Sequence, residues 1–202
     1  VLDKRNCSNF YDDCVLALAE DESGNLWIGS RHGLFIENAA REFHTAAEYF
    51  GGPTVIDSVS VFHFALCRDG GMLAATNGAG VVRILGQSMV QIPLENGNTS
   101  YIANSVAADD YGNIYAGTSG DGLVMLSAGS TSFAPVKELS DISSGPISSI
   151  LKDDESRLWV SAGSSVYSFL TGEDGRPDRI LAFSKSSSDR PSVFNRNACS
   201  LN

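Results

Sequence analysis

The sequence predicts an all-β protein, and three observations lead to that prediction. One pattern occurs four times, in residues 15–36, 61–84, 104–126 and 147–170. Inside each copy, β-branched and aromatic residues alternate with small or polar ones, which is typical of strands. Glycine interrupts the chain at roughly every dozenth residue, which is too often for long helices.

Each copy contains the same elements in the same order. An alternating apolar stretch (A) leads to an acidic turn, a short apolar strand (B), a turn of small residues and a third apolar strand (C). The large residue early in strand B sets the register and recurs roughly every 44 residues, as Trp27, Leu73, Tyr115 and Trp159. A weaker apolar segment (D) follows each copy, at 41–50, 88–94, 131–139 and 178–184. The sequence of residues 37–50 favours a short helical turn as the one exception to strands.

A four-stranded antiparallel unit that repeats at this period is typical of a β-propeller blade. We predict one β-propeller segment over residues 1–202, and we place its four complete blades at about 14–50, 58–95, 104–139 and 147–184. Residues 1–13 are expected to end a preceding blade or connect to it, and residues 192–202 to begin a further one. A closed propeller needs its first and last blades to meet, so we expect either an excerpt of a larger propeller or a ring closed by two chains.

Composition excludes several classes of partner. The formal net charge is −10, and no stripe of lysine or arginine offsets it, so nucleic acid is a poor partner for this segment. No apolar run approaches the length that spans a bilayer. The four cysteines and three histidines lack the spacing of metal sites, and we expect no metal or cofactor. A disulfide between Cys7 and Cys14 is left open.

Two motifs that suggest ligand chemistry favour structural turns instead. The glycines of GNLWIGSRHGL (24–34) lack the Gly-Lys-Ser/Thr ending and the following helix of a phosphate loop. The acidic turns DESGN, DDYGN and DDESR lead at once into strands and lack the closing glutamate of a calcium loop. Asp, Asn and Gly suit hairpin turns in these positions. No catalytic residues are predicted, since the sequence shows no recognisable triad or pair of facing carboxylates.

The candidate ligand-binding residues are predicted on one face of the propeller. Strands that alternate in direction bring the B–C turns and the D–A connectors between blades to the same face, and ligands often bind where such loops converge. The candidates are Arg31, His32, Asn77 and Asp121 from the turns and Tyr101 and Arg196 from the connectors. Ser119, Ser164, Tyr11, Asp12 and Asn104 belong to the same predicted face.

The repeat resembles a known family. Residues 21–34 read D-x-x-G-N-L-W-I-G-S-x-x-G-L, and residues 109–123 read DDYGNIYAGTSGDGL. Both are similar to the "two-component regulator propeller" repeat. The second copy departs from it at Gly71, Leu73 and Ala75, and the fourth at Ser156, Arg157 and Ser161. FNRNA (194–198) is similar to the segment that opens a late blade in these proteins.

The resemblance implies a function that the residues alone do not. In that family, seven-bladed propellers form the periplasmic sensor region of bacterial hybrid two-component regulators, especially those that govern polysaccharide use. The resemblance implies a non-enzymatic segment that binds an oligosaccharide or another small-molecule ligand. Such a segment passes the signal through neighbouring blades and domains to a histidine kinase elsewhere in the parent chain. That parent chain would be anchored in the membrane through parts other than this segment. Two alternatives stay open: a propeller enzyme that acts on polysaccharide as a lyase or hydrolase, and a protein-interaction scaffold that forms a homodimer.

Overall fold

The structure, a computed structural model, describes Asp12 and residues 14–142 and 145–184. It confirms the all-β prediction, because the strands form four separate four-stranded sheets, each antiparallel and in sequence order. The first sheet contains β1 (Val15–Glu20), β2 (Leu26–Ser30), β3 (Gly33–Glu37) and β4 (Phe43–Thr45). The second contains β5 (Val61–Leu66), β6 (Met72–Thr76), β7 (Val81–Leu85) and β8 (Ser88–Ile92).

The other two sheets repeat the arrangement. The third contains β9 (Ala103–Ala108), β10 (Ile114–Thr118), β11 (Leu123–Leu126) and β12 (Ala134–Pro135). The fourth contains β13 (Ile147–Lys152), β14 (Leu158–Ala162), β15 (Ser165–Thr171) and β16 (Pro177–Ser184). The predicted helical turn is present as α1 (Ala46–Tyr49), and a 3-10 turn occupies Lys137–Ile142. Thr45 and Glu48 form a capping box at the start of α1, which explains why so short a helix is ordered there.

Neighbouring sheets pack face to face and bury three apolar layers. Trp27 and Ile36 of the first sheet pack against Phe64 and Met72 of the second. Leu73 and Val81 on the other face of the second sheet pack against Ile114 and Val124 of the third. Tyr115 and Leu123 of the third sheet pack against Ile150 and Leu158 of the fourth. No packed cluster of the described residues joins the first sheet to the fourth, so these blades form an open arc.

The glycine near the end of strand B has a packing role. A Cβ built on Gly29 would lie 2.8 Å from the carbonyl oxygen of Val61, and one on Gly117 would lie 2.5 Å from Cγ2 of Ile147. Val61 and Ile147 both begin strand A of the following blade. This glycine therefore lets adjacent blades approach closely near the axis.

The acidic A–B turns are closed by the carboxylate that begins them. Asp21 Oδ1 accepts hydrogen bonds from the backbone N–H groups of Ser23 and Asn25, and Oδ2 accepts one from the Trp27 indole at 2.9 Å. Asp109 and Asp153 bind their own turns in the same way. These contacts confirm the interpretation of the motif as a structural turn.

Asp21→Asn is expected to weaken the fold and to flatten its acid sensitivity. Burial acts to raise the pKa of Asp21, but hydrogen bonds from Asn25, Trp27 and Ser23 bring it below its ordinary value. A carboxylate with such a lowered pKa adds stability above its unfolded pKa and loses it as pH falls through the folded one. The NH2 group of an asparagine cannot accept the indole N–H while its oxygen binds the turn, so we expect a loss of about 1–2 kcal/mol at pH 7.

Urea unfolding of both proteins between about pH 5 and pH 2 measures this effect. The original chain should lose more stability over this range than the variant does. Equal losses would show that the Asp21 carboxylate does not contribute to acid unfolding.

Candidate functional site

The B–C turns and the D–A connectors meet on one face, as the strand directions require. The backbone N–H of Arg31 donates to the carbonyl of Cys14 at 3.2 Å, that of Asn77 to Ser60 at 2.9 Å, and that of Ser119 to Ile102 at 3.0 Å. In each case, a residue of the B–C turn is bound to the chain that leads into or begins strand A. We call this surface the turn face; it is defined by Arg31, His32, Asn77, Ser119, Asp121 and Ser164.

A hydroxyl at the end of strand B holds three of the four turns. Ser30, Thr76 and Thr118 are buried, and their hydroxyls donate across the turn to the carbonyls of Gly33, Gly80 and Gly122 at 2.8–3.0 Å. Each hydroxyl also accepts a backbone N–H from within the turn, as Ser30 does from His32 at 3.1 Å. Ala162 takes this position in the fourth blade, so that turn has no such side-chain bond. The turns of the first three blades are therefore preorganised platforms for the residues at their tips.

His32 is oriented by a buried aspartate. Asp12 Oδ2 accepts the backbone N–H of His32 at 2.8 Å and lies 3.2 Å from its Nδ1. The His32 side chain is 63% exposed and that of Asp12 is 2% exposed, so the imidazole faces solvent while its partner is enclosed. Burial acts to raise the pKa of Asp12, but hydrogen bonds from Ser30, Cys14 and His32 lower it overall. Asp12 is therefore ionised at neutral pH and favours the His32 tautomer that carries its proton on Nδ1.

The remaining predicted residues divide into exposed, buried and undescribed ones. Arg31, Asn77 and Asp121 are exposed at their turns. Tyr101 is 5% exposed; its hydroxyl donates to the carbonyl of Ile92 at 2.9 Å and accepts the N–H of Val81 at 3.1 Å. Tyr101 therefore supports the second blade from inside and offers no group to a ligand on the turn face. Arg196 lies outside the described residues.

Asn104 connects two blades rather than facing solvent, and the half-buried Ser119 is bonded to it within the third blade. Asn104 is 4% exposed, and its side-chain nitrogen donates to the Ile147 carbonyl at 2.9 Å and to the Ser119 hydroxyl at 3.1 Å. This amide bridges the third blade to the start of the fourth. Sequence position placed these residues on the correct face, but it could not show that their polar groups are already used.

A cavity of about 310 Å³ lies beside Asp121, between the second and third blades. Its apolar floor contains Val124 and Phe133, which are 1% and 0% exposed, and Leu94 continues it. Its polar lining comes from Asp121, Glu95 and Asn96. Sequence reasoning missed Glu95 and Asn96. The signal was the turn that follows strand D, ENGN at 95–98, which the structure brings beside a B–C turn.

The chemistry of the turn face is that of hydrogen bonding and charge. In the part of the chain that the structure describes, no three side chains of His, Cys, Asp and Glu come together as a metal would require.

Cys14 and Cys67 are free thiols, while Cys7 is outside the described residues. No described helix is long and apolar enough to cross a membrane.

One stretch of the first blade matches a known repeat. The family model described as "two component regulator propeller" matches residues 12–32. This stretch is therefore similar to a two component regulator propeller repeat. The match contains Asp12, the turn carboxylate Asp21, Trp27, Arg31 and His32, and it confirms there the resemblance seen in the sequence. No curated protein matches the sequence significantly.

Solved structures share the propeller fold. A protein described as the extracellular domain of a hybrid two-component system from B. thetaiotaomicron superimposes with a TM-score of 0.66 and 16% identity, covering 91% of this chain and 24% of that one. Virginiamycin B lyase from Staphylococcus aureus superimposes with a TM-score of 0.66 and 14% identity, covering 89% of this chain and 58% of that one. The chain thus spans about a quarter of the first structure and under two thirds of the second. Likeness at these identities establishes the fold, an open arc of β-propeller blades.

Proposed function

We propose that this chain is a non-enzymatic, ligand-binding sensor segment of a bacterial hybrid two-component regulator, located in the periplasm. The observation that carries the proposal is the regulator-propeller repeat at residues 12–32, which includes the exposed Arg31 and His32 of the turn face. The fold shared with the extracellular domain of a hybrid two-component system supports it. The kinase that receives the signal belongs to other parts of the parent chain.

We propose further that the ligand is an oligosaccharide. Sugars present hydroxyls for hydrogen bonds and apolar ring faces for packing, and both needs are met near Asp121. Asp121, Glu95 and Asn96 supply polar groups, and the buried Val124 and Phe133 supply an apolar floor. Arg31 and His32 place a guanidinium and an imidazole on the same face in the first blade. A ligand of several sugar units could contact turns from more than one blade.

Calorimetric titration with an oligosaccharide panel tests this function, using this chain and the complete ectodomain of its parent. We expect binding by the ectodomain, and we expect Asp121→Asn or Arg31→Ala to weaken it by about tenfold, since each removes a charge-assisted hydrogen bond. Arg41→Ala is the matched control, because Arg41 is an exposed arginine of a C–D turn on the opposite face. An ectodomain that binds no member of a broad panel would contradict the oligosaccharide proposal.

Two observations favour a second function, a polysaccharide-cleaving propeller enzyme. Virginiamycin B lyase shares the fold, and His32 with Asp12 forms a histidine–carboxylate pair suited to proton transfer. The two functions separate in a single assay of polysaccharide turnover. Turnover that His32→Gln abolishes would establish the enzyme, whereas binding without turnover would support the sensor. A strict monomer in light scattering would remove the homodimeric scaffold.

A further inference from the structure

The second blade departs from the repeat at two places that lie together in space. The first is the A–B turn. The backbone N–H groups of Asp21, Asp109 and Asp153 close their turns by donating to the carbonyl four residues later, and Cys67 donates to Gly71 in the same way. Cys67 therefore stands where the other three blades have the turn-closing aspartate, and this turn lacks that carboxylate.

The second departure is an arginine in a layer between blades. Strand pairing places Arg83 opposite Leu73, as Ile36 is opposite Trp27 and Met125 opposite Tyr115. The position holds an apolar side chain in the third blade and in the first, where Ile36 is fully buried, and the small Ser168 opposite Trp159 in the fourth. In the second blade, it holds a guanidinium instead.

Two adjoining cavities meet at Arg83. One, of about 320 Å³, is lined by Cys67, Arg68, Asp69 and Arg83 on one side and by Gly112, Ala128 and Gly129 of the third blade on the other. The second, of about 290 Å³, continues along Leu85, Val90 and Ile92. Arg83, Leu126 and Ser130 line both, so the two form one groove. We call it the Arg83 groove; it opens on the side of the A–B turns, away from the turn face.

Two arginines and one carboxylate line the polar end of the groove. Arg83 pairs with Asp69, while Arg68 donates to the backbone carbonyl of Asp110 at 3.1 Å and lies near the Asp110 carboxylate, which is itself paired with Lys152. The Nε of Arg83 is buried and has no hydrogen-bond partner among the described residues. Burial and the Asp69 carboxylate raise the pKa of the Cys67 thiol and outweigh the opposing effect of the nearby Arg83, so the thiol is neutral at pH 7 and does not repel an anion.

The other end of the groove is apolar and open. Leu85 is 45% exposed and Val90 is 57% exposed, and both lie along the second cavity. Pockets that bind small molecules commonly combine an apolar wall with a few polar groups that orient the ligand. The two ends together fit a molecule that has an anionic head and an apolar tail.

We propose that the Arg83 groove binds a small amphipathic carboxylate. Its head group lies at Arg83 and Arg68, and its tail lies along Leu85, Val90 and Leu126. The site is distinct from the turn face in residues and ligand chemistry. It therefore stands or falls independently of the proposed sensor function.

Octanoate is the probe, and calorimetric titration of the full chain is the measurement. We expect saturable binding to one site, at least about tenfold weaker binding of acetate, which lacks the tail, and no binding of octylamine, which reverses the charge. Equal binding of octylamine, or no binding of octanoate, would overturn the proposal.

Arg83→Met tests the head-group contact. Methionine occupies the equivalent position in the third blade, so the substitution suits the fold. We expect at least about a tenfold loss of octanoate affinity, while Arg41→Met, the same change at an exposed turn of the first blade, leaves affinity as it was. Binding that survives Arg83→Met unchanged would place octanoate elsewhere.

Cysteine alkylation gives a second readout that needs no variant. Cys67 lines the groove and Cys14 lies in the first blade, and both are half-buried free thiols. Octanoate should slow iodoacetamide labelling of Cys67, followed by peptide mass spectrometry, and leave Cys14 unaffected. Equal protection of both thiols, or of neither, would contradict occupation of the groove, even if Arg83→Met failed to fold.

Discussion

Trp27→Ala is expected to lower the free energy of unfolding by about 3–5 kcal/mol. Trp27 is 5% exposed and lies in the layer between the first and second blades. Its ring makes an edge-on contact with Tyr49 at 6.0 Å between centroids and packs against Phe50 at 6.4 Å. Alanine would leave a cavity that two rigid sheets cannot collapse to fill.

Trp159→Ala is the matched comparison, because the two tryptophans occupy the same repeat position. Both indoles donate to the aspartate that begins the preceding turn, Trp27 to Asp21 and Trp159 to Asp153. Trp159, however, is half-buried and stacks on Phe183, itself 50% exposed. We therefore expect Trp159→Ala to cost less than about 2 kcal/mol.

Urea unfolding followed by far-ultraviolet circular dichroism measures both losses. The two values can be compared if the free energy of unfolding falls with urea concentration at the same rate in both variants. Subtracting the two values removes the shared hydrogen bond and leaves the effect of burial between blades. Equal losses would show that the layer between the first two blades contributes no more than the partly exposed face of the fourth.

The sequence predicted the repeat well because each blade is defined by local signals. The alternation of strands, the aspartate of the acidic turn and the recurrent large residue all act within about 44 residues. They placed the B–C turns on one face, and the structure confirms that arrangement. The motif around Trp27 is similar to that around Trp159, so their difference in burial comes from the neighbouring sheet and not from the local sequence.

The candidate site was less predictable because it depends on contacts between distant residues. Tyr101 was assigned to the turn face from its connector, but its hydroxyl reaches the strands of the preceding blade. The pair of Asp12 and His32 joins residues 20 positions apart. Neither Cys67 nor Arg83 stands out in the repeat motif, because the groove that both residues line forms only when the second and third blades pack together.

Gly80→Ala is expected to destabilise the chain by about 2–5 kcal/mol. Gly80 adopts a φ of +63°, which disfavours any side chain, and a Cβ there would lie 2.3 Å from Cε1 of the buried Tyr101 ring. The same glycine receives the Thr76 hydroxyl on its carbonyl and donates its N–H to the Tyr101 carbonyl. A shift that relieved the clash would therefore disturb the turn that carries Asn77.

Gly86→Ala separates the two causes of that loss. Gly86 has a φ of +58°, but a Cβ at this position would meet no atom within 4 Å, so only the backbone cost of about 1–2 kcal/mol applies. The loss of stability in Gly80→Ala beyond that in Gly86→Ala measures the collision with Tyr101. In a Tyr101→Ala background, this additional loss should disappear. If the additional loss persisted without the ring, the cost would belong to the turn itself.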